Sequence, residues 1–101
     1  MGQGFALCDL LILKQGRLQT GWLSEYLIPT SEDVPEIKAI VLESRSGLGP
    51  FGAKGIGEPV YAPVAASIAN AVADAIGVHI FELPITPEKV IKALREKEST
   101  K

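Results

Sequence analysis

The sequence predicts a single small α+β domain with about three helices and two to three short strands. A chain of 101 residues buries one modest core at most. Hydrophobic residues make up 47% of the chain and aromatic residues only 6%, a composition typical of a tightly packed interior and not of disorder. Stretches with helical spacing and short apolar runs of strand length both occur, separated by Gly and Pro.

Composition excludes several classes of protein. Ten Lys and Arg against twelve Asp and Glu give a net charge of -2, without the dense basic patch that binds nucleic acid. The apolar run Leu10–Leu13 is too short for a signal-peptide core or a membrane span, so we expect a cytoplasmic protein with no membrane partner. Cys8 is the one cysteine, so the chain forms no internal disulfide and cannot ligate an ordinary iron-sulfur cluster.

The first 28 residues predict one helix and one strand. Apolar residues from Phe5 to about Leu13 fit a short buried helix better than a strand. Gly16 marks a turn after it. Within Thr20–Ile28 the pattern favours a short strand around Trp22 and Leu23, which an irregular loop follows.

The middle of the chain combines a strand pattern with a glycine-rich stretch. Glu36–Glu43 has an almost continuous Ile-Val-Leu run of strand length, which predicts a buried strand. Ser44–Pro59 contains five Gly and two Pro in sixteen residues. This density opposes regular structure but allows the backbone to approach a ligand closely. We therefore expect the functional loop in this stretch.

Tyr61–Ile76 predicts a helix that is apolar on nearly every side. Pro63 is tolerated only in its first turn, and Gly77 is placed to cap its C-terminus. The polar residues form one narrow stripe: Ser67, Asn70 and Asp74. Such a helix belongs inside a larger body, so we expect the isolated chain to self-associate through it.

The last part of the chain predicts a strand and a surface helix. His79–Leu83 alternates as a short strand that Pro84 ends. Thr86 is an N-cap signal, and the helix after it is expected to continue to about Lys97. Its apolar face is Val90, Ile91 and Leu94, and its charged face pairs Glu88 with Lys92.

The end of the chain and two single residues have structural interpretations. Residues 96–101 are expected to be a disordered tail. Cys8 lies among apolar residues and is interpreted as a buried thiol, because a reactive thiol needs a positively charged, accessible setting. His79 has no second ligand near it in the sequence, so it too is interpreted as structural.

Two common phosphate-binding motifs are rejected for the glycine-rich stretch. Gly47–Gly52 formally matches GxGxxG, but the dinucleotide motif needs its last glycine inside an opening helix, and further Gly and Pro follow here. Lys54 is followed by Gly55 and not by Ser or Thr, so the P-loop is absent.

The remaining run, Gly52–Pro59, has two possible interpretations. Its backbone N–H groups could bind an anionic cofactor while Glu58, at the entrance of the apolar helix, directs a carboxylate at it. Alternatively, the run is a turn in which Glu58 is an exposed first-turn acid that interacts with the helix dipole. The residues alone leave both open.

Five stretches together resemble one family in its own order. They resemble the C-terminal segment of the molybdopterin-binding subunit of molybdenum hydroxylases, the xanthine dehydrogenase and aldehyde oxidase family. The stretches are GQGFAL (Gly2–Leu7), GRLQTGWLSEYLIPTSEDVPEI (Gly16–Ile37), GAKGIGEP (Gly52–Pro59), APVAASIANAVADAIGV (Ala62–Val78) and ELPITPEKVIKAL (Glu82–Leu94). The resemblance implies that this α+β domain is a fragment of a larger molybdopterin-binding domain.

The resemblance also implies a catalytic role and a cofactor. Glu58 would be the general base that activates a hydroxyl on molybdenum, so that a purine, N-heterocycle or aldehyde is hydroxylated. The residues that line molybdopterin would be Ala53, Lys54, Gly55, Ile56 and Gly57. The family donates no metal ligand from the protein. We expect molybdopterin in the complete enzyme and no cofactor bound by this chain alone.

The family subunit is several times longer, so the partners implied are the rest of this subunit together with iron-sulfur and flavin subunits or domains. Many relatives have Gln where this chain has Met1, which puts one cofactor contact in doubt. Three hypotheses stay open: a fragment that is inactive alone, the small subunit of a split enzyme, and a stand-alone interaction module without catalysis.

Overall fold

A computed structural model describes residues 1–44 and 47–99 and contains both helices and a small sheet. Four α-helices and one two-stranded antiparallel sheet lie in these residues, so the α+β class is confirmed. The bounds are α1 Gly2–Leu7, β1 Leu13–Lys14, β2 Arg17–Leu18, α2 Gly57–Tyr61, α3 Val64–Ile76 and α4 Pro87–Ser99, with a 3-10 turn at Pro50–Gly52.

The first helix is shorter than predicted and begins earlier. The N–H of Asp9 donates to the Gly4 carbonyl at 2.8 Å, and the Asp9 carboxylate lies so close to Gly4 that a Cβ there would be 2.6 Å from Oδ1. This local turn ends α1 at Leu7, so a helix through Leu13 is wrong. β1 and β2 instead form a hairpin whose turn, Gln15 and Gly16, has positive φ at both residues. The turn predicted at Gly16 is confirmed.

Three predicted strands are absent from the described residues. Around Trp22 the chain forms a turn, since the N–H groups of Glu25 and Tyr26 both donate to the Trp22 carbonyl at 2.9 Å. Glu36–Glu43 and His79–Leu83 contain no strand either, and their large apolar side chains are mostly exposed. A strand needs a neighbouring backbone for its hydrogen bonds, and neither segment has one here.

The long apolar helix is divided in two at Ala62 and Pro63. Pro63 has no N–H, so it becomes the N-cap of α3, and its carbonyl accepts the Ser67 N–H at 2.9 Å. Gly77 caps α3 at φ 66° and donates to the Ala73 carbonyl at 2.8 Å, which confirms the predicted cap.

Among the described residues, none of the helices is by itself long and apolar enough to cross a membrane. The bent pair Pro50–Tyr61 and Val64–Ile76, at 44°, passes that test together, by length and composition only.

A small core joins α1, α3 and the segment that precedes α4. A Cβ added to Gly2 would lie 2.5 Å from the Val64 Cβ, so the two helices touch backbone to side chain. The buried Ile85 donates its N–H to the carbonyl of buried Ala6 at 2.6 Å. The Lys97 ammonium donates to the Ile76 carbonyl at 2.8 Å, at the end of α3. Hydrogen bonds therefore connect the two ends of the chain.

The exposed apolar surface does not lie on α3, contrary to the prediction. The large residues of α3 are half-buried, and its exposed positions are small or polar. The side chains that are at least three-quarters exposed lie mainly outside the helices: Met1, Trp22, Leu23, Ile37, Val41, Leu42, Leu48, Phe51 and Phe81.

The last helix follows Thr86, whose carbonyl accepts the Val90 N–H at 3.1 Å, and continues to Ser99. The helix thus includes part of the stretch 96–101 that was expected to be a tail, and residues 100 and 101 lie outside the described residues. Ala93 is buried, whereas Ile91 remains 50% exposed and Leu94 38% exposed, so the predicted apolar face is only partly covered.

The charged side chains of α4 pair differently from the prediction. Lys92 lies 3.9 Å from Glu96, and Lys89 lies 3.5 Å from Glu82. Glu88 instead accepts a hydrogen bond from Thr86, which lowers the pKa of its carboxyl. The predicted pair of Glu88 with Lys92 is therefore wrong, because the capping interaction at the helix start takes the Glu88 carboxylate.

Candidate functional site

The glycine-rich loop folds back on itself before α2 begins. The N–H of Gly52 donates to the Gly49 carbonyl at 2.9 Å, and Phe51 and Gly52 both have positive φ. The Gly52 and Ala53 carbonyls occupy the space where side chains on Gly47 and Gly49 would lie. The first glycines of the apparent dinucleotide motif, Gly47 and Gly49, therefore allow the loop to fold back on itself. A dinucleotide site would require a helix that opens at Gly52, and none opens there.

An open cleft of about 680 Å³ lies beside this loop. Leu42, Glu43 and Ser44 form one side, and the other side includes Gly52 and the stretch 54–56. The Lys54 ammonium donates a hydrogen bond to the Ser44 hydroxyl, which connects the two sides. The sequence did not single out Ser44; its position directly after the apolar run and before the glycines was the available signal.

The predicted cofactor-binding residues form one continuous exposed stretch. Lys54, Gly55 and Ile56 line the cleft, whereas Ala53 and Gly57 do not. A Cβ added at Gly55 or Gly57 would meet no atom within 4 Å, so there is free space beside the backbone at both positions. In the described part of the chain, the N–H groups of residues 54–56 have no backbone acceptor. These N–H groups and the Lys54 ammonium are the kinds of donor that bind anionic groups.

Glu58 lies in the first turn of α2, next to this stretch but outside the cleft lining. Glu58 is exposed, and its backbone carbonyl accepts the Ala62 N–H at 3.3 Å. Across residues 1–44 and 47–99 no hydrogen bond or ion pair to its carboxylate is described. The carboxylate is thus accessible for proton transfer, but this chain alone does not fix its direction.

The hydrogen-bond donors of this region are backbone N–H groups and the Lys54 ammonium. The described residues contain no cluster of three His, Cys, Asp or Glu side chains. Backbone N–H groups and the Lys54 ammonium are suitable partners for phosphate and other anionic groups of a cofactor. The residues present therefore fit an anionic ligand.

Cys8 and His79 are not among the residues that line the cleft. Cys8 is half-buried beside Asp9, and burial, followed by the charge of Asp9, raises the pKa of its thiol. A thiol of raised pKa is a poor nucleophile, consistent with the structural interpretation. The His79 ring stacks on Phe81, with ring centres 5.8 Å apart.

Comparisons with known proteins give one consistent group of relatives. No protein-family profile matches the chain. The xanthine dehydrogenase molybdenum-binding subunit of Escherichia coli is 39% identical over 89% of the chain. The 6-hydroxypseudooxynicotine dehydrogenase complex subunit gamma of Paenarthrobacter nicotinovorans is 39% identical over 88%. The aldehyde oxidoreductase molybdenum-binding subunit of Escherichia coli is 34% identical over 93%.

These matches confirm the resemblance found in the sequence patterns. In each case the similarity covers most of this chain but a small part of the relative. The chain spans only 12% to 13% of the length of these three proteins.

Proposed function

Since this chain belongs to the xanthine dehydrogenase and aldehyde oxidoreductase family of molybdenum-binding subunits, we propose that it is the segment carrying the general base of a molybdenum hydroxylase. Glu58 is the base, and the stretch 53–57 holds the cofactor. The substrate is a purine, an N-heterocycle or an aldehyde. The segment has no activity alone, because one side of its cleft is open.

The observation that carries this proposal is the identity of 39% with a molybdenum-binding subunit across 89% of the chain. The geometry of the loop supports it. Lys54, Gly55 and Ile56 line a cleft at the position where the family resemblance predicts the cofactor, and Glu58 follows directly at the start of α2.

Each residue of the loop has a defined task in this mechanism. When bound, the molybdenum cofactor supplies the two-electron oxidation of the substrate carbon. The N–H groups of Lys54, Gly55 and Ile56 hold the anionic part of the cofactor, and the Lys54 ammonium balances its charge. Glu58 accepts the proton of the attacking oxygen nucleophile, as a general base must. Free space at Gly55 and Gly57 lets the cofactor approach the backbone.

The partners in this proposal are the rest of the molybdenum-binding subunit and iron-sulfur and flavin subunits or domains. One relative, from Paenarthrobacter nicotinovorans, is named as a subunit of a dehydrogenase complex, which supports an assembly of several chains. A cytoplasmic location stays a prediction from the sequence.

A split enzyme is the second candidate, in which this chain is a separate small subunit. The exposed apolar side chains outside the helices favour it over a stand-alone module, since an independent domain covers such surface itself. Native mass spectrometry of the purified complex separates the three hypotheses. A co-purifying longer chain with molybdenum supports the split enzyme, a segment continuous with that chain supports the fragment, and a stable monomer without partners supports the module.

Replacement of Glu58 tests the catalytic role. In the complete enzyme, Glu58→Gln should lower kcat about 10² to 10⁴-fold, the range that general-base catalysis contributes. Molybdenum content, measured by elemental analysis, should not change, because the amide keeps the shape of the side chain.

Glu88→Gln is the matched control, since Glu88 is also a first-turn acid of a helix. It should leave kcat within about twofold of the unmodified enzyme. Full turnover in the Glu58→Gln enzyme would refute the general-base assignment.

A further inference from the structure

We propose that residues 36–43 become an interior strand of a β-sheet in a longer partner polypeptide, the remainder of the molybdenum-binding subunit, and that this pairing closes the open side of the cleft. This inference rests on the proposed function, because that function identifies the longer polypeptide. Beyond that function, the inference identifies the segment that binds the longer polypeptide and the backbone pairing by which it binds.

The segment is apolar yet almost fully accessible. Ile37, Ile40, Val41 and Leu42 are 73% to 88% exposed. Residues 35–44 contain no helix, strand or turn, and within the described part of the chain their N–H groups have no backbone acceptor. Backbone groups of this kind must be paired once such side chains are buried. An occupant that buries the side chains therefore also has to supply hydrogen bonds.

The pattern of the segment specifies a strand with both faces covered. In a strand, Ile37 and Val41 lie on one face, and Ile40 and Leu42 lie on the other. Apolar residues on both faces in a continuous run are typical of strands in the interior of a sheet with covered faces. The β-branched residues among them favour strand over helix. The partner must therefore offer a backbone on each side of the segment.

Residues 1–44 and 47–99 provide no suitable partner for the segment. Its only described strands, β1 and β2, contain two residues each and already pair with each other.

A second copy of the chain is also a poor partner. In parallel register, Glu36, Lys38 and Glu43 would each lie opposite the same charge. In centred antiparallel register, Glu36 would lie opposite Glu43. Like charges opposite each other destabilise a sheet, so self-pairing is disfavoured in both arrangements.

The longer polypeptide satisfies these requirements. The relatives are about eight times as long as this chain, which matches 12% to 13% of them, so the counterpart of the segment in each relative belongs to a much larger body. The end of the segment is also one side of the cleft, since Leu42, Glu43 and Ser44 lie opposite Lys54. A strand added beside these residues would reach the edge of the cleft next to the cofactor loop.

Hydrogen exchange measured by mass spectrometry tests the pairing. The chain is compared alone, at low micromolar concentration, and in complex with the longer polypeptide from the same source. The amides of residues 37–42 should exchange at least about tenfold more slowly in the complex. Equal exchange in both samples, or slow exchange already in the chain alone, would overturn the proposal.

Paired substitutions separate backbone pairing from apolar contact. Ile40→Pro and Val41→Pro remove an N–H, whereas Ile40→Ala and Val41→Ala remove only side-chain atoms. Each Pro variant should bind the longer polypeptide at least about tenfold more weakly than its Ala counterpart. Consecutive residues of a strand donate to opposite sides, so loss at both positions indicates an interior strand. If only one of the two Pro variants binds more weakly than its Ala counterpart, or neither does, the interior-strand assignment is overturned.

Binding and catalysis can fail independently in these experiments. Glu58→Gln should bind the longer polypeptide as tightly as the unmodified chain. If Glu58→Gln binds normally and turnover is unchanged, Glu58 is not the base, but the docking proposal still stands. Pro variants that bind as their Ala counterparts do would refute the docking, whatever the activity.

Discussion

At the scale of single residues, glycine has two different uses in this chain. At Gly2, α1 and α3 approach so closely that a Cβ would lie 2.5 Å from the Val64 Cβ and 3.1 Å from the Tyr61 carbonyl oxygen. At Gly55, an added Cβ would meet nothing within 4 Å. Glycine permits contact between helices at the first position, and the second position has open space beside it.

We predict that Gly2→Ala destabilises the chain by about 1–3 kcal/mol, because the new methyl group overpacks the contact with Val64. Urea unfolding followed by circular dichroism measures the change. Gly21→Ala is the control, since its Cβ would be in ordinary contact with Leu18, at 3.6 Å, and it should change stability by less than about 0.5 kcal/mol. Equal stability of both variants would show that the contact of α1 with α3 is looser than described.

At the scale of elements, helix ends were more predictable than strands. Gly77 and Thr86 act on their own neighbours in the chain, so the sequence located the end of α3 and the start of α4. A strand depends on a backbone elsewhere, which explains why the strand predicted at Glu36–Glu43 is absent from the structure. The glycine loop was identified from local composition, whereas its contact with Ser44 depends on the fold of the loop.

We predict that Gly77→Ala destabilises the junction of α3 and α4 by about 1–2 kcal/mol, since Gly77 adopts the left-handed conformation at φ 66°. Gly77→Asn should cost less, because Asn tolerates this conformation better. Both variants place a Cβ near the flexible Lys97 ammonium, so their difference reports the backbone conformation. Thermal unfolding measures the stability of both variants. An equal loss of stability in Gly77→Ala and Gly77→Asn would contradict this explanation.

At the scale of the whole molecule, the chain is much more expanded than an independent domain. Its radius of gyration is 18.1 Å. A compact domain of this length has about 13 Å. The sequence correctly indicated that more apolar surface exists than one small core can cover. It assigned that surface to the helix Tyr61–Ile76, because periodicity could not show that α1 covers one face of α3.

We predict that the isolated chain self-associates at high concentration through these exposed side chains. Trp22→Lys combined with Leu23→Lys should lower the apparent mass measured by light scattering, since both residues are 76% exposed. Ala66→Lys combined with Ala71→Lys adds the same charge on exposed positions of α3 and should have a smaller effect. A monodisperse monomer of the unmodified chain at high concentration would contradict the prediction.

The hydrogen bond from Ile85 to Ala6 has a consequence for the stretch between α1 and α2. It joins residues near opposite ends of the chain, so the stretch between α1 and α2 is a long excursion that begins and ends at the same small framework. Lengthening or rearranging such an excursion costs little loop-closure entropy. The excursion can therefore change its conformation during assembly without unfolding the helices that anchor it.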